Sequence, residues 1–214
     1  DGQRVTTPEA MNLVRTVLMG EVNQELVEAL NHHGNFAVGV SGADGGVIVA
    51  EQASPDLGRV GRITRINRPL LDDLVASDYI PVIASVAIGE DGGFYNADMV
   101  AGHIAAAIGA HKAVFLTDVD GLYENFEDKS SLISNLTVFE ARYMVENNVV
   151  STGMIPKLKS CIHALENGVQ TISTRVTDAS GYGDINDLLT VSDVLVTDYS
   201  SVIFEWALLD KPVV

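Results

Sequence analysis

This chain has little sulfur, few basic side chains and no long apolar run. Its single cysteine, Cys161, excludes an intrachain disulfide and fits a reducing compartment. With no Cys or His cluster beside it, Cys161 reads as a small buried helix residue. Only 13 Lys and Arg stand against 29 Asp and Glu, a formal net charge of -16. That shortage argues against nucleic acid or an anionic membrane as partner, since clustered cations grip both. A phosphate ligand stays open, because one or two cations and a helix N-terminus can hold it. No apolar stretch reaches the ~20 residues of a membrane span, and no signal peptide opens the chain. Aromatics supply only 6% while hydrophobic residues make up 47% of 214, so a large core must be mainly aliphatic.

Both ends read as cut from larger units. Asp1-Gly2-Gln3-Arg4 has no initiator Met, and Leu208 to Val214 stops within a strand-like run. Thr6-Thr7-Pro8-Glu9 is a helix start, with a Thr cap, Pro at the first position and an acid in the first turn. Apolar residues from Met11 to Leu30 recur at three-and-four spacing, with Gly20 placed to break or bend the helix and His32-His33-Gly34-Asn35 to end it. Residues 36–40 and 47–50 read as strands around a Gly-rich loop, and a hairpin turn is the reading adopted there. Gly58 to Arg68 carries Arg59, Arg62, Arg65 and Arg68 on a solvated strand edge or loop. From Pro69 the alternation is regular. A helix covers 70–76 and a buried strand 80–86, followed by a helix over 97–109 and a strand over 114–116. Helices close the run near 137–147 and 155–167.

Alternating helices and apolar strands predict an α/β fold, a mostly parallel sheet with helices on both faces. Residues 184–214 form a short α-β-α unit after a linker at 171–183; residues 1–170 form the main domain.

Three features carry candidate chemistry. Asp98 follows Asn96-Ala97 and is read as opening the Ala-rich helix. Thr117-Asp118-Val119-Asp120-Gly121-Leu122-Tyr123 follows a strand, where a ribose or adenine contact and a plain turn are both open. Gly153-Met154-Ile155-Pro156-Lys157 opens a helix. Gly153 permits close backbone approach to a phosphate, and Lys157 is either a neutralising cation or a surface lysine. A carboxylate, a strand-end loop and a lysine at a helix N-terminus are the parts of a phosphoryl-transfer site, which works by positioning and charge neutralisation.

In this order the motifs resemble those of N-acetylglutamate kinases of the amino-acid-kinase family, over residues 1 to about 169. Further matches are Arg4-Val5-Thr6-Thr7-Pro8-Glu9, residues 36–44 and Ile80-Pro81-Val82-Ile83. The resemblance implies an incomplete three-layer amino-acid-kinase sandwich and a cytoplasmic homo-oligomer. It implies MgATP-dependent phosphorylation of the side-chain carboxylate of N-acetyl-L-glutamate in arginine biosynthesis. It implies that Arg4 grips a substrate carboxylate, Asn96 contacts substrate, Asp98 organises the catalytic lysines and Lys157 is one of them. Thr117, Asp118, Asp120, Gly121, Leu122, Tyr123, Gly153 and Met154 would line the nucleotide. The family's earlier strand, first catalytic lysine and glycine loop would lie before Asp1. Its Asn-x-Asn-Ala-Asp run appears with Phe94 in place of the first Asn. Residues 184–205 resemble CDP-glycerol glycerophosphotransferases of teichoic acid synthesis, which implies a diphosphate beside Ser200 and Ser201; a Ser-capped helix is the alternative.

Overall fold

A computed structural model describes residues 5–115, 122–123, 128–133, 136–147, 149–150, 154–173 and 195–197. These fall into two compact units, one of residues 5–98 with 195–197, the other of the described residues between 99 and 173. The fold is α/β, as the alternation of elements predicts.

In the first unit, Thr7 Oγ1 accepts the Ala10 N–H at 3.1 Å and caps α1 (Pro8–Arg15). The chain stays helical through a π-helical stretch, Thr16–Val22, into α2 (Asn23–Asn31). The expected irregularity at Gly20 is therefore a widening of the helix rather than a break. Met11, Val14 and Leu18 bury one face against Ala84 and Val86. Asn23 is buried and donates Nδ2–H to the Val82 carbonyl at 2.8 Å.

Strands β1 (Ala37–Ser41) and β2 (Ile48–Gln52) do not form the expected hairpin. Strand β1 pairs in parallel with β4 (Ile80–Ala84), which pairs in parallel with β9 (Leu195–Thr197). Strand β2 lies instead in a closed four-stranded barrel with β3 (Val60–Ile66), β5 (Val86–Gly89) and β6 (Phe94–Ala97). The reason lies at Gly42. Its N–H donates to the Ala84 carbonyl at 3.0 Å, and a Cβ there would sit 2.7 Å from the Val86 carbonyl. Only a glycine lets the chain pass so close and cross from one sheet into the other. The arginine-rich segment is a barrel strand whose cations face outward; Arg62 pairs with Glu51 across β2–β3 at 2.5 Å. The helix α3 (Pro69–Ala76) matches expectation.

The second unit holds α4 (Val100–Ile108), α5 (Val138–Glu146) and α6 (Met154–Glu166). It also contains a parallel pair, β7 (Lys112–Val114) and β8 (Thr171–Ser173). Thr137 and Glu140 form a reciprocal capping box at the start of α5. Leu122, Ala141, Met144, Val150, Leu158 and Ile162 make one core cluster. Helices α4 and α6 meet at Gly102, whose N–H donates to Ser160 Oγ at 3.0 Å. Cys161 is buried, and burial pushes its thiol up to about 12, so it packs as a small apolar group.

Candidate active site

The segment Phe94–Ala97 is a strand, and it takes in Ala97, where the sequence suggested the start of a helix. Its pairing with β3 and β5 wins over the local preference, because two neighbouring strands supply the backbone partners. Helix α4 begins only at Val100, after Met99 takes a left-handed conformation with φ 63°. A non-glycine residue held there stores about 1 kcal/mol of strain. Asp98 therefore stands exposed at the C-terminal end of a strand rather than within the helix. Strand ends of this kind are where α/β folds place ligands.

Along β6 the burial alternates. Tyr95 and Ala97 are buried, while Phe94 and Asn96 share the half-buried face. The barrel interior is tight, since a Cβ on Gly61 would sit 2.8 Å from the Tyr95 Cβ. Tyr95 donates its hydroxyl to Asp91 at 2.9 Å, and Arg59 reaches the same carboxylate oxygen at 3.1 Å. The Gly93 N–H, then Tyr95 and Arg59, hold Asp91 below the usual carboxylate range. This cluster borders a cavity of about 230 Å³ lined by Ala50, Glu51, Gln52, Thr64, Glu90, Asp91 and Tyr95. The cavity is acidic, which suits it poorly to phosphate.

Asn96 Oδ1 is buried with no hydrogen-bond partner, as are Ser85 Oγ and Arg15 Nε. Groups left so usually cost 1–3 kcal/mol and call for an explanation. Sequence reasoning passed over Arg15. Its signal was a cation at the three-and-four spacing that buries Met11 and Leu18.

In the second unit, Lys157 is half-buried in the first turn of α6, and Met154 begins that helix. The positive dipole end of that turn favours an anion. Leu122 and Tyr123 are buried; Leu122 packs with Leu158, and Met154 lies against the same cluster. Structure thus brings Leu122, Met154 and the root of the Lys157 turn onto one core. Asn96 and Asp98 belong to the other unit. Arg4, Thr117, Asp118, Asp120, Gly121, Gly153, Ser200 and Ser201 lie outside the described residues. Among the described residues, no three His, Cys, Asp or Glu side chains are grouped to hold a metal ion. No helix among them is long and apolar enough to cross a membrane.

The second unit also contains a stacked pair, His103 of α4 and His163 of α6, with ring centroids 3.8 Å apart. Burial first, and the neighbouring His163 second, lower His103 from its ordinary 6.5 to about 4. Between those two values the unfolded chain takes up a proton that the folded chain refuses. Stability should therefore fall as pH drops through this window and stay level with respect to His103 above it. His103 is half-exposed, so solvent screening reduces the effect to about 1 kcal/mol at pH 5. Urea unfolding at pH 7 and pH 5 checks this: His103→Gln should flatten the difference, and an equal slope in both proteins would refute it.

Comparison with known proteins bears on the family and the fold. The profile of the amino acid kinase family matches residues 1–178. That of the CDP-glycerol:poly(glycerophosphate) glycerophosphotransferases matches residues 161–214. An acetylglutamate kinase of Caldanaerobacter subterraneus subsp. tengcongensis is 46% identical over 174 residues, which is 79% of this chain and 58% of its own length. The chloroplastic acetylglutamate kinase of Arabidopsis thaliana is 48% identical over 177 residues, 81% of this chain and 51% of its own. The chain thus spans a little over half the length of these curated relatives. Among solved structures, smu.665 from Streptococcus mutans UA159 superposes with a TM-score of 0.73 at 28% identity, covering 81% of this chain and 71% of that one. An N-acetylglutamate synthase from Neisseria gonorrhoeae shares the fold with a TM-score of 0.67 at 18% identity, covering 92% and 45%. With its strand-end Asn-Ala-Asp run, its lysine in the first turn of α6 and a family match over most of its length, the chain belongs to the amino acid kinase family.

Proposed function

We propose that this chain carries the catalytic core of an acetylglutamate kinase, which transfers the γ-phosphoryl group of MgATP to the side-chain carboxylate of N-acetyl-L-glutamate. A carboxylate oxygen attacks the γ-phosphorus, the bond to the β–γ bridging oxygen breaks, and ADP and an acyl phosphate form. What supports the reading above all is the 46% identity over 174 residues to an enzyme of that name. Lys157 neutralises charge on the transferring group and Asp98 orients lysines around it. Asn96 and Arg4 hold the acceptor. The loop Thr117, Asp118, Asp120, Gly121, Leu122 and Tyr123, with Gly153 and Met154, takes the nucleotide. Magnesium enters with ATP as part of the substrate. The proposal includes a cytoplasmic enzyme that self-associates; Leu13, 62% exposed on α1, is apolar surface that association would cover. The domain division at about residues 170 and 184 is part of the same proposal.

A second reading follows from the glycerophosphotransferase match at residues 161–214. There, Ser200 and Ser201 would sit beside the diphosphate of a cytidine nucleotide. Calorimetric titration separates the two readings. Binding of a nonhydrolysable MgATP analogue, strengthened by N-acetyl-L-glutamate, is expected. Binding of CDP alone would move the function to the C-terminal segment, and silence from both nucleotides would overturn the kinase reading.

A further inference from the structure

We propose that Ser160 is a positioning residue for phosphoryl transfer: it caps α4 from the neighbouring helix and so fixes the register of the Lys157 turn against the start of α4. The inference rests on the kinase reading above, which gives Lys157 a part in the transfer. It begins with a missing cap. The first N–H groups of α4 (Val100–Ile108) need partners outside the helix. A Ser, Thr, Asp or Asn at the N-cap usually supplies one. In α4 that position is held by Met99, whose side chain makes no capping bond.

Ser160 supplies the cap from α6. Its Oγ accepts the Gly102 N–H at 3.0 Å, the bond that a serine at the N-cap would take from the third residue of its own helix. The same hydroxyl donates to the Met99 carbonyl at 3.3 Å, an oxygen that also accepts the His103 N–H at 3.2 Å. Ser160 is 3% exposed, so water does not compete for either bond. Gly102 makes the approach possible, since a Cβ there would lie 2.6 Å from Ser160 Oγ.

The place of Ser160 in α6 links this cap to the chemistry. It lies three residues beyond Lys157, the spacing of neighbours on a helix surface. Helix α6 cannot slide or turn against α4 without breaking both bonds of the hydroxyl, and any such movement would carry Lys157 with it. Met99, held at φ 63°, directly follows Asp98 in the chain. The hydroxyl therefore also pins the backbone just past the Asn-Ala-Asp run. A displacement of about 1 Å in a group that acts on the transferring phosphoryl can lower the rate by about 100-fold.

The experiment is a double-mutant cycle in the full chain, assayed for phosphoryl transfer from MgATP to N-acetyl-L-glutamate, with folding checked by urea unfolding. Ser160→Ala removes both bonds and should lower kcat by about 10- to 100-fold with KM for either substrate little changed. In the Lys157→Ala background the same change should lower kcat no further, because a residue that acts through Lys157 has nothing left to position. Ser160→Cys offers a weaker donor and acceptor at the same place and should recover part of the rate but not all of it. It carries the test if Ser160→Ala does not fold. A parental kcat in either folded variant overturns the inference and leaves the kinase reading standing. A loss as large without Lys157 as with it does the same. So does failure of both variants to fold, since Ser160 would then serve the fold alone. A parent chain that transfers no phosphoryl group overturns the kinase reading and this inference together.

Discussion

Alanine at Gly102 should destabilise the second unit by about 2–3 kcal/mol, although alanine is the better helix former. Propensity alone favours the change by about 1 kcal/mol in a helix interior. Packing opposes it more strongly. A Cβ at Gly102 would meet the Ser160 carbonyl and lie 2.6 Å from Ser160 Oγ. The obstacle is backbone of a neighbouring helix, which cannot swing aside, so α4 and α6 must separate or the bond from Gly102 N–H to Ser160 Oγ must break. Gly20 is the control. Nothing lies within 4 Å of a Cβ there, and it is exposed in a helical run. Gly20→Ala should stabilise by up to about 1 kcal/mol. Urea unfolding of both variants tests the pair, and shifts of equal sign would show that propensity rather than interhelical contact governs Gly102.

Lys157→Ala should weaken binding of a nonhydrolysable MgATP analogue at least tenfold and lower phosphoryl transfer by about a hundred- to a thousand-fold. The expectation comes from placement. The first turn of α6 is the positive end of its helix dipole, a poor setting for a cation by itself. An anionic ligand reverses that preference, because each phosphate oxygen then answers both the ammonium and the N–H groups. Lys157→Arg keeps the charge but changes its shape, and should recover binding better than transfer. A variant that binds and transfers as the parent does would remove Lys157 from the chemistry. The leading Met154 and the buried Leu158 should keep the helix in place in either variant.

The residues proposed for the site come from the sequence. The Asn-Ala-Asp run, the strand-end loop and the Gly-to-Lys helix start are local patterns, and each places a residue type where backbone geometry and charge need it. The Thr cap of the first helix was readable for the same reason, since a cap engages partners three residues away. The hairpin between β1 and β2 was misread because turn chemistry describes how a chain bends and not which strand it then joins. The helix start drawn at Ala97 came too early for a like reason, since Ala97 is held in a strand by partners distant in sequence. Arg15 went unnoticed because a cation on an apolar helix face acquires meaning only when the Phe94 ring beneath it is known.

By itself the sequence determined the family, the α/β alternation, the cap of the first helix, the acidic composition and the residue types offered to a phosphate. All of these follow from short-range spacing and composition. Tertiary structure alone decided which strands share a sheet, that Gly102 and Ser160 meet across 58 residues, and that Arg15 and Asn96 keep polar atoms unanswered on one side of β6. Those outcomes depend on contacts between segments far apart in the chain. Close packing selects such contacts from many that local periodicity permits.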